Sequence, residues 1–464
     1  MSYPIIIVGA GAAGIVAAGF AARAGARVQL LERTKDGGRK ILISGGGRCN
    51  ILPSAVDPSQ YVTQSSPNIV KQILRSWPLA DQRRFFEEEV GIPLKLEEES
   101  GKLFPVSDKA RDVRDGLLGW ARKQGVEVTF GVTVVGVRPV EGSGQGTGRE
   151  KRERASGQGG DEKRETRDEN GWEVVTDLGT IKASRVIIAT GGLSVPQTGS
   201  DGTGLKILEA LGHTIHPTHP ALTPLTLTPH RYDALAGISL PVTIRDGDGK
   251  NAFRTTGGFL VTHRGWSGPT VLNVSHLTMA IGRAVGRAFQ ARRDDEPTTA
   301  ATAALKGPPY GPSLGSPPPS AGPTLLVSWG TLSRADWERE LSGGTKLVLN
   351  VIKAHLPERL AETLFAESGV PADRTCAQLR KEERASLLST LCSWPLPYTG
   401  DEGYKKAEVT GGGVALNEIV PQTMESRIHP GLFICGEALD VFGPIGGYNF
   451  HWAWATGKLA GMAQ

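Results

Sequence analysis

Residues 4–32 read PIIIVGAGAAGIVAAGFAARAGARVQLLE. Ile5 to Val8 is a β-branched run of the kind a strand buried on both faces requires. GAGAAG follows from Gly9 to Gly14. A small-residue helix is expected from Ala12 to about Ala24, with Gly25 placed to cap it. A second strand runs from Arg27 to Leu31 and ends in Glu32. This order opens a βαβ unit, and each glycine in it has a task. Gly9 permits the tight turn, Gly11 lets a pyrophosphate approach the backbone, and Gly14 lets helix and strand pack closely. The helix N-terminus, with Ala12 and Ala13 in its first turn, offers free N–H groups and positive partial charge to phosphate. Glu32 is placed to accept from adenosine ribose hydroxyls, which favours a 2′-OH over a 2′-phosphate, and Arg33 follows it.

The same stretch has a rival reading. Residues 1–22 carry no charged side chain, as in a signal peptide or a membrane helix. A basic leading segment is missing, however, and Gly9, Gly11 and Gly14 interrupt the run. A buried strand, turn and helix explain it better. Cys49, Cys376, Cys392 and Cys435 show no CxxC spacing, so neither a disulfide framework nor a metal site is indicated. A reducing, cytoplasmic location is expected. The net charge of +4 over 464 residues is mild; it suggests at most a local anionic ligand and does not argue for nucleic acid, so a small-molecule substrate is the expected partner.

This length predicts two or three domains. The first part of a dinucleotide-binding domain is expected over 1–204. Within it, 142–171 has almost no apolar side chain and nearly balanced charges, so it is expected to be a disordered extension of one hairpin loop. Residues 205–335 carry short strand-like runs (PALTPLTL, ISLPVTIRD, GGFLVTHRGWSGPTVLNVS) and predict a β-rich lobe with a proline-rich loop at 293–323. Residues 336–395 have helical period, with Pro357 inside the second pattern, and predict a small helical lobe. Residues 396–464 return to glycine-rich strand-and-loop patterning.

That last segment decides between dinucleotides. GLFICGEALDVFGPIGGYNFHWAWATGKLAG places a strand, Leu432 to Cys435, before Gly436 and Glu437. A glycine loop with Gly446 and Gly447 then leads into a helix near Asn449. In FAD proteins of the glutathione-reductase type, a late strand ends in Gly-Asp or Gly-Glu, and its carboxylate holds the ribityl chain. The next helix points its N-terminus at the flavin pyrimidine, where it stabilises negative charge. FAD is therefore the expected cofactor. ATGG, with Thr190, Gly191 and Gly192 after a VIIA strand, is expected as a third contact, and Val134 as a further one.

Together GRKILISGGGRCN, ATGGLSVPQTGSDGTG, THRGWSGP, AEVTGGGV and GEALDVFGPIGGYN resemble the BaiN/RdsA family of FAD-dependent oxidoreductases. The resemblance covers the chain except its two low-complexity inserts. It implies a Rossmann-like FAD-binding domain built from both chain ends, interrupted by a β-barrel-like lobe and a helical lobe. It also implies hydride transfer, with the best-known member reducing carbon–carbon double bonds in steroid acids.

Under this resemblance Ser44, Gly45, Gly46, Gly47, Arg48, Cys49 and Asn50 lie where the backbone passes close to FAD, and the glycines keep a Cβ from colliding with it. Arg39 and Lys40 suit nearby phosphates. Cys49 tempts a redox reading, but no partner cysteine is close, so packing or cofactor contact is the stronger one. Tyr448 or Asn449 are candidates to donate a proton or bind substrate, with helix capping as the alternative for Asn449. His263 is a candidate to face the active-site cleft from the second lobe. GSDGTG does not follow an obvious strand, so no dedicated NAD(P)H domain is expected, and a nicotinamide donor would dock transiently. The expected function is transfer of hydride from NAD(P)H through the flavin to an unsaturated small molecule held under the inserted lobes. An amine or alcohol oxidase, and a non-catalytic or tRNA-associated flavoprotein, are the alternatives.

Overall fold

The computed structural model describes residues 3–140, 171–249, 252–278 and 324–464. The predicted disordered insert at 142–171 lies outside them except for Gly171, and so does the proline-rich loop at 293–323.

Five parallel strands make the central sheet, in the order Leu432–Ile434, Arg185–Ile188, Ile5–Val8, Val28–Glu32, Glu127–Phe130. The first strand lies mid-sheet and all four of its residues are buried, which is why it reads as an unbroken apolar run. The strand nearest the C-terminus pairs beside one from residues 185–188, so both chain ends build one sheet. Helix Ala12–Arg23 packs against the C-terminal helix Tyr448–Met462. Their contact is made by glycine: a Cβ on Gly457 would stand 2.5 Å from the Ala13 carbonyl oxygen.

Strands Val134–Pro139 and Trp172–Thr176 pair antiparallel, with Pro139 opposite Trp172. Beyond them Val140 N–H donates to the Gly171 carbonyl at 2.9 Å. The charged insert thus leaves and re-enters at the end of one hairpin, as expected.

The inserted region carries a seven-stranded antiparallel sheet. Its two outermost strands, Trp394–Pro395 and Gly400–Asp401, are close neighbours in sequence, so the sheet curls back toward itself. Helices Arg334–Glu340, Val348–Lys353, Glu358–Ser368 and Lys381–Cys392 pack on it. Pro357 sits at the start of the third, where its missing N–H costs nothing. One buried cluster runs from Leu225 to Tyr398 and takes side chains from both strands and helices. The β-rich and helical parts therefore share a core, where the pattern suggested two lobes. A second, larger cluster belongs to the dinucleotide sheet and its helices.

Two local readings change. PTVLNV, expected as strand, is a helix from Pro269 to Val274, opened by Pro269 in the first turn. The stretch from Arg39 to Gly47, expected as a glycine loop, is a short helix Arg39–Ile43 followed by a tight turn Ser44–Gly47.

Candidate flavin site

Where the first strand ends, a cavity of about 660 Å³ opens. Its lining comes entirely from residues 8–203 and 405–453, the two chain ends. Among the described residues, none that lines it belongs to the seven-stranded lobe.

Gly9 adopts φ +103, and a Cβ there would stand 2.7 Å from the Ala189 oxygen. A Cβ on Gly14 would lie 1.9 Å from the Gly9 oxygen, so its absence lets helix and turn touch. Gly11 differs. An added Cβ would meet no protein atom within 4 Å, yet Gly11 lines the cavity. The space beside it is kept for something outside the chain. The helix that starts there has neither a side-chain cap nor an acidic residue in its first turn, so its N–H groups remain free for an anion. The C-terminal helix, also uncapped and without an early acid, opens on the same cavity through Gly446, Gly447 and Asn449.

Glu32 is buried. Its carboxylate accepts from Ala10 N–H and Thr34 N–H, each at 2.8 Å, which fixes it at the strand end. Arg33 beside it is ion-paired with Asp201. Asp201 also accepts from Thr203 N–H at 3.1 Å. GSDGTG therefore joins this first dinucleotide cavity, a role the sequence did not disclose because residues 199–203 meet residues 32–33 only through the fold.

At the far end of the sheet, Glu437 accepts from Ser194 Oγ at 2.7 Å and Thr410 N–H at 2.9 Å, and pairs with Lys40 Nζ at 2.5 Å. Lys40 also donates to Ser194 Oγ at 2.5 Å. Burial raises the Glu437 carboxyl, but Lys40 and these donors outweigh it and hold the group below its ordinary value. Ser194 and Thr410 were not foreseen: 243 and 27 positions separate them from Glu437. Gly192 does not line the cavity. Its missing side chain admits Thr410, whose Oγ1 would stand 2.4 Å from a Cβ there.

The stretch that reads SGGGRCN forms the cavity wall through Ser44, Gly45, Gly46, Arg48 and Asn50. Its glycines are needed first for backbone reasons: Gly45, Gly46 and Gly47 have φ of +55, +67 and +88. Gly47 and Cys49 are not on the wall. Cys49 is fully buried with φ +63, and burial pushes its thiol up to about 12, against the opposing Ser44 hydroxyl. It stays un-ionised at neutral pH. Arg48 lies over the Phe104 ring at 4.1 Å and pairs with Glu97 at 3.0 Å, so its charge is largely compensated within the protein. Arg39 likewise pairs with Asp36 at 2.8 Å.

Asn449 is on the wall, and its amide is already engaged. Its Oδ1 accepts from Gly443 N–H at 2.9 Å and its Nδ2 donates to the Gly443 carbonyl at 3.0 Å, closing the glycine loop. Tyr448 is off the wall and packs on Tyr61 with centroids 5.5 Å apart. His263 is exposed in the turn between strands Arg254–Thr262 and Gly265–Ser267, away from the cavity. Thr190, Gly191, Gly436 and Val134 line the cavity.

The residues fit an extended FAD. Two uncapped helix N-termini and the reserved space at Gly11 suit an anionic group, and a buried Asn50 Oδ1 on the wall, unpartnered among the described residues, accepts from a ligand N–H or O–H. A fold of this kind with this site defines an FAD-dependent oxidoreductase. The family described as HI0933-like protein Rossmann domain matches residues 3–463, and the chain belongs to it. The chain is 32% identical over 465 residues to a ribosomal RNA dihydrouridine synthase of Escherichia coli (strain K12), covering 98% of this chain and 96% of that one. It is 30% identical over 460 residues to a 3-dehydro-bile acid delta(4,6)-reductase of Clostridium scindens, covering 98% of each. Among solved structures it resembles an open flavocytochrome c3 fumarate reductase at 15% identity and TM-score 0.42, over 100% of this chain and 78% of that one. Among the described residues no helix is long and apolar enough to cross a membrane.

Proposed function

We propose that this protein is an NAD(P)H-linked reductase that saturates an activated carbon–carbon double bond in a small molecule. The observation that carries this reading is the agreement of two relatives. Each is aligned over nearly the whole chain, and both names describe saturation of a double bond, on very different substrates. FAD, when bound, supplies hydride transfer.

The chain's own residues do the rest. The N–H groups at Gly11–Ala13 would hold the pyrophosphate, and Glu32 and Arg33 would hold the adenosine end. Lys40, Ser194 and Glu437, bonded to one another, would form a polar shelf for the ribityl chain. Ser44, Gly45, Gly46, Arg48 and Asn50, with Gly446, Gly447 and Asn449, would hold the ring, and the uncapped helix N-terminus at Tyr448 would stabilise negative charge on it. Four free, buried cysteines suit a reducing cytoplasm.

A second reading is favoured by the relative that acts on ribosomal RNA. Lys405 and Lys406 are exposed and line the same cavity, where they would meet phosphate.

Anaerobic stopped-flow spectroscopy tests the proposal. NADH or NADPH should bleach the flavin band near ~450 nm, and an enone such as 4-androstene-3,17-dione should restore it. Restoration by uridine-containing RNA alone would favour the second reading. Bleaching by amines, with restoration by air, would replace both with an oxidase.

A further inference from the structure

Most charged side chains on the cavity wall are already neutralised. Arg33 pairs with Asp201, Arg39 with Asp36, Lys40 with Glu437 and Arg48 with Glu97, while Glu32 is held by backbone amides. Glu408 is different. It precedes strand Val409–Val414, lines the cavity, and its carboxylate makes no hydrogen bond or ion pair among the described residues. Its backbone is anchored. The N–H donates to Leu222 O at 3.2 Å, and the carbonyl accepts from Ser194 Oγ at 3.3 Å. The carboxylate is thus positioned but uncommitted.

Lys102 is the nearest charged neighbour in effect. It also lines the cavity without an ion pair, and its Cε would lie 3.6 Å from a Cβ on Gly446, in the loop that opens the C-terminal helix. Glu408, Lys102, Phe104, Ile445 and Gly446 all line this one cavity.

We propose that Glu408 is the acid that protonates the substrate carbon during reduction of the double bond, a role that rests on the reductase reading above. Saturating the bond adds one hydride and one proton. The hydride derives from the nicotinamide donor. The π bond breaks, its electron pair forms a C–H bond with the Glu408 carboxyl proton, and water re-protonates the resulting carboxylate. Glu408 is accessible at the cavity surface yet deep among protein atoms. Burial raises its carboxyl above the ordinary value, and Lys102 and Lys40 oppose this. Of the other charges nearby, Glu437 is paired with Lys40 and Arg48 with Glu97, and Lys405 and Lys406 lie on its own loop. A raised carboxyl keeps its proton to higher pH than an ordinary one, as an acid catalyst requires.

Glu408→Gln in the FAD-loaded protein tests this, with both half-reactions followed separately. The substitution should slow reoxidation by 4-androstene-3,17-dione about 100-fold more than it slows reduction by NAD(P)H, a typical share for general-acid catalysis. Glu408→Asp should recover part of the loss, and the alkaline fall of the wild-type pH profile should vanish in Glu408→Gln. Independently of turnover, infrared difference spectra of the wild-type protein should show a protonated-carboxyl band that Glu408→Gln removes. Equal slowing of both half-reactions, or an unchanged infrared band, would overturn the assignment of Glu408 alone. A wild-type flavin that NAD(P)H cannot reduce, or that no enone reoxidises, would overturn the reductase reading and this role with it.

Discussion

Gly11 and Gly14 stand three residues apart in one motif and fail for opposite reasons. At Gly11 an added methyl meets open cavity; at Gly14 it meets the Gly9 carbonyl oxygen at 1.9 Å. Gly11→Ala should leave the apoprotein within about 1 kcal/mol of wild type, the usual range for a change at a helix cap. It should still weaken FAD binding by tenfold or more. Gly14→Ala should cost about 1–3 kcal/mol of folding stability through overpacking. Urea unfolding of apoprotein and FAD titration separate the two. Lys40 offers a second test. Glu437 is held ionised against burial chiefly by Lys40, so Lys40→Met should let burial raise its carboxyl. In the wild type the depressed carboxyl adds stability above its unfolded value of 4.5, and this is lost as pH falls through the lower folded value. In the variant the sign reverses, and stability should decline as pH rises above 4.5. Urea midpoints from pH ~4 to ~8 give the slope directly, since each proton of difference contributes about 1.4 kcal/mol per pH unit.

Helices Ala12–Arg23 and Tyr448–Met462 come from opposite chain ends and share one face. Gly457 and Gly461 make that approach possible, their Cβ positions lying 2.5 and 2.4 Å from the Ala13 and Ala17 oxygens. The contact also aims both helix N-termini at one cavity. Gly457→Val should therefore cost about 1–3 kcal/mol by overpacking and should release FAD as well. A drop in urea midpoint with FAD binding intact would show that the helices are not coupled through this glycine. These elements were legible beforehand, because their glycine spacing and apolar runs are local properties. PTVLNV was misread because a short run with three branched apolar residues suits strand or helix alike. Pro269 and the packing of that helix on strand Arg254–Thr262 decide it.

For the molecule as a whole, the charged insert is attached where Val140 and Gly171 already hydrogen-bond. Replacing residues 142–170 by a short turn should leave FAD content unchanged. It should also raise stability by about 1–2 kcal/mol, since each halving of a flexible loop recovers roughly 0.6 kcal/mol of closure entropy. A fall in melting temperature would show that the insert contributes contacts of its own. The lobe built from residues 225–398 joins the flavin domain through specific bonds. One is Asn273 Oδ1 accepting from Ile445 N–H at 2.9 Å, which ties the lobe to the loop at the cavity end.

From the chain alone came the α/β class, the use of both ends for one dinucleotide domain, and most of the glycines that line the cavity. Each follows from local rules of periodicity, turn geometry and helix-end charge. Only the tertiary structure decided which charges are spent and which are free. Lys40 meets Glu437 across 397 positions, Arg33 meets Asp201 across 168, and the Glu408 carboxylate has no partner among the described residues. Charge compensation depends on distances in space, and a residue's neighbours in space are set by packing rather than by spacing along the chain. Folding likewise moved His263 to an exposed turn and buried Cys49, although their residue types had made them candidates.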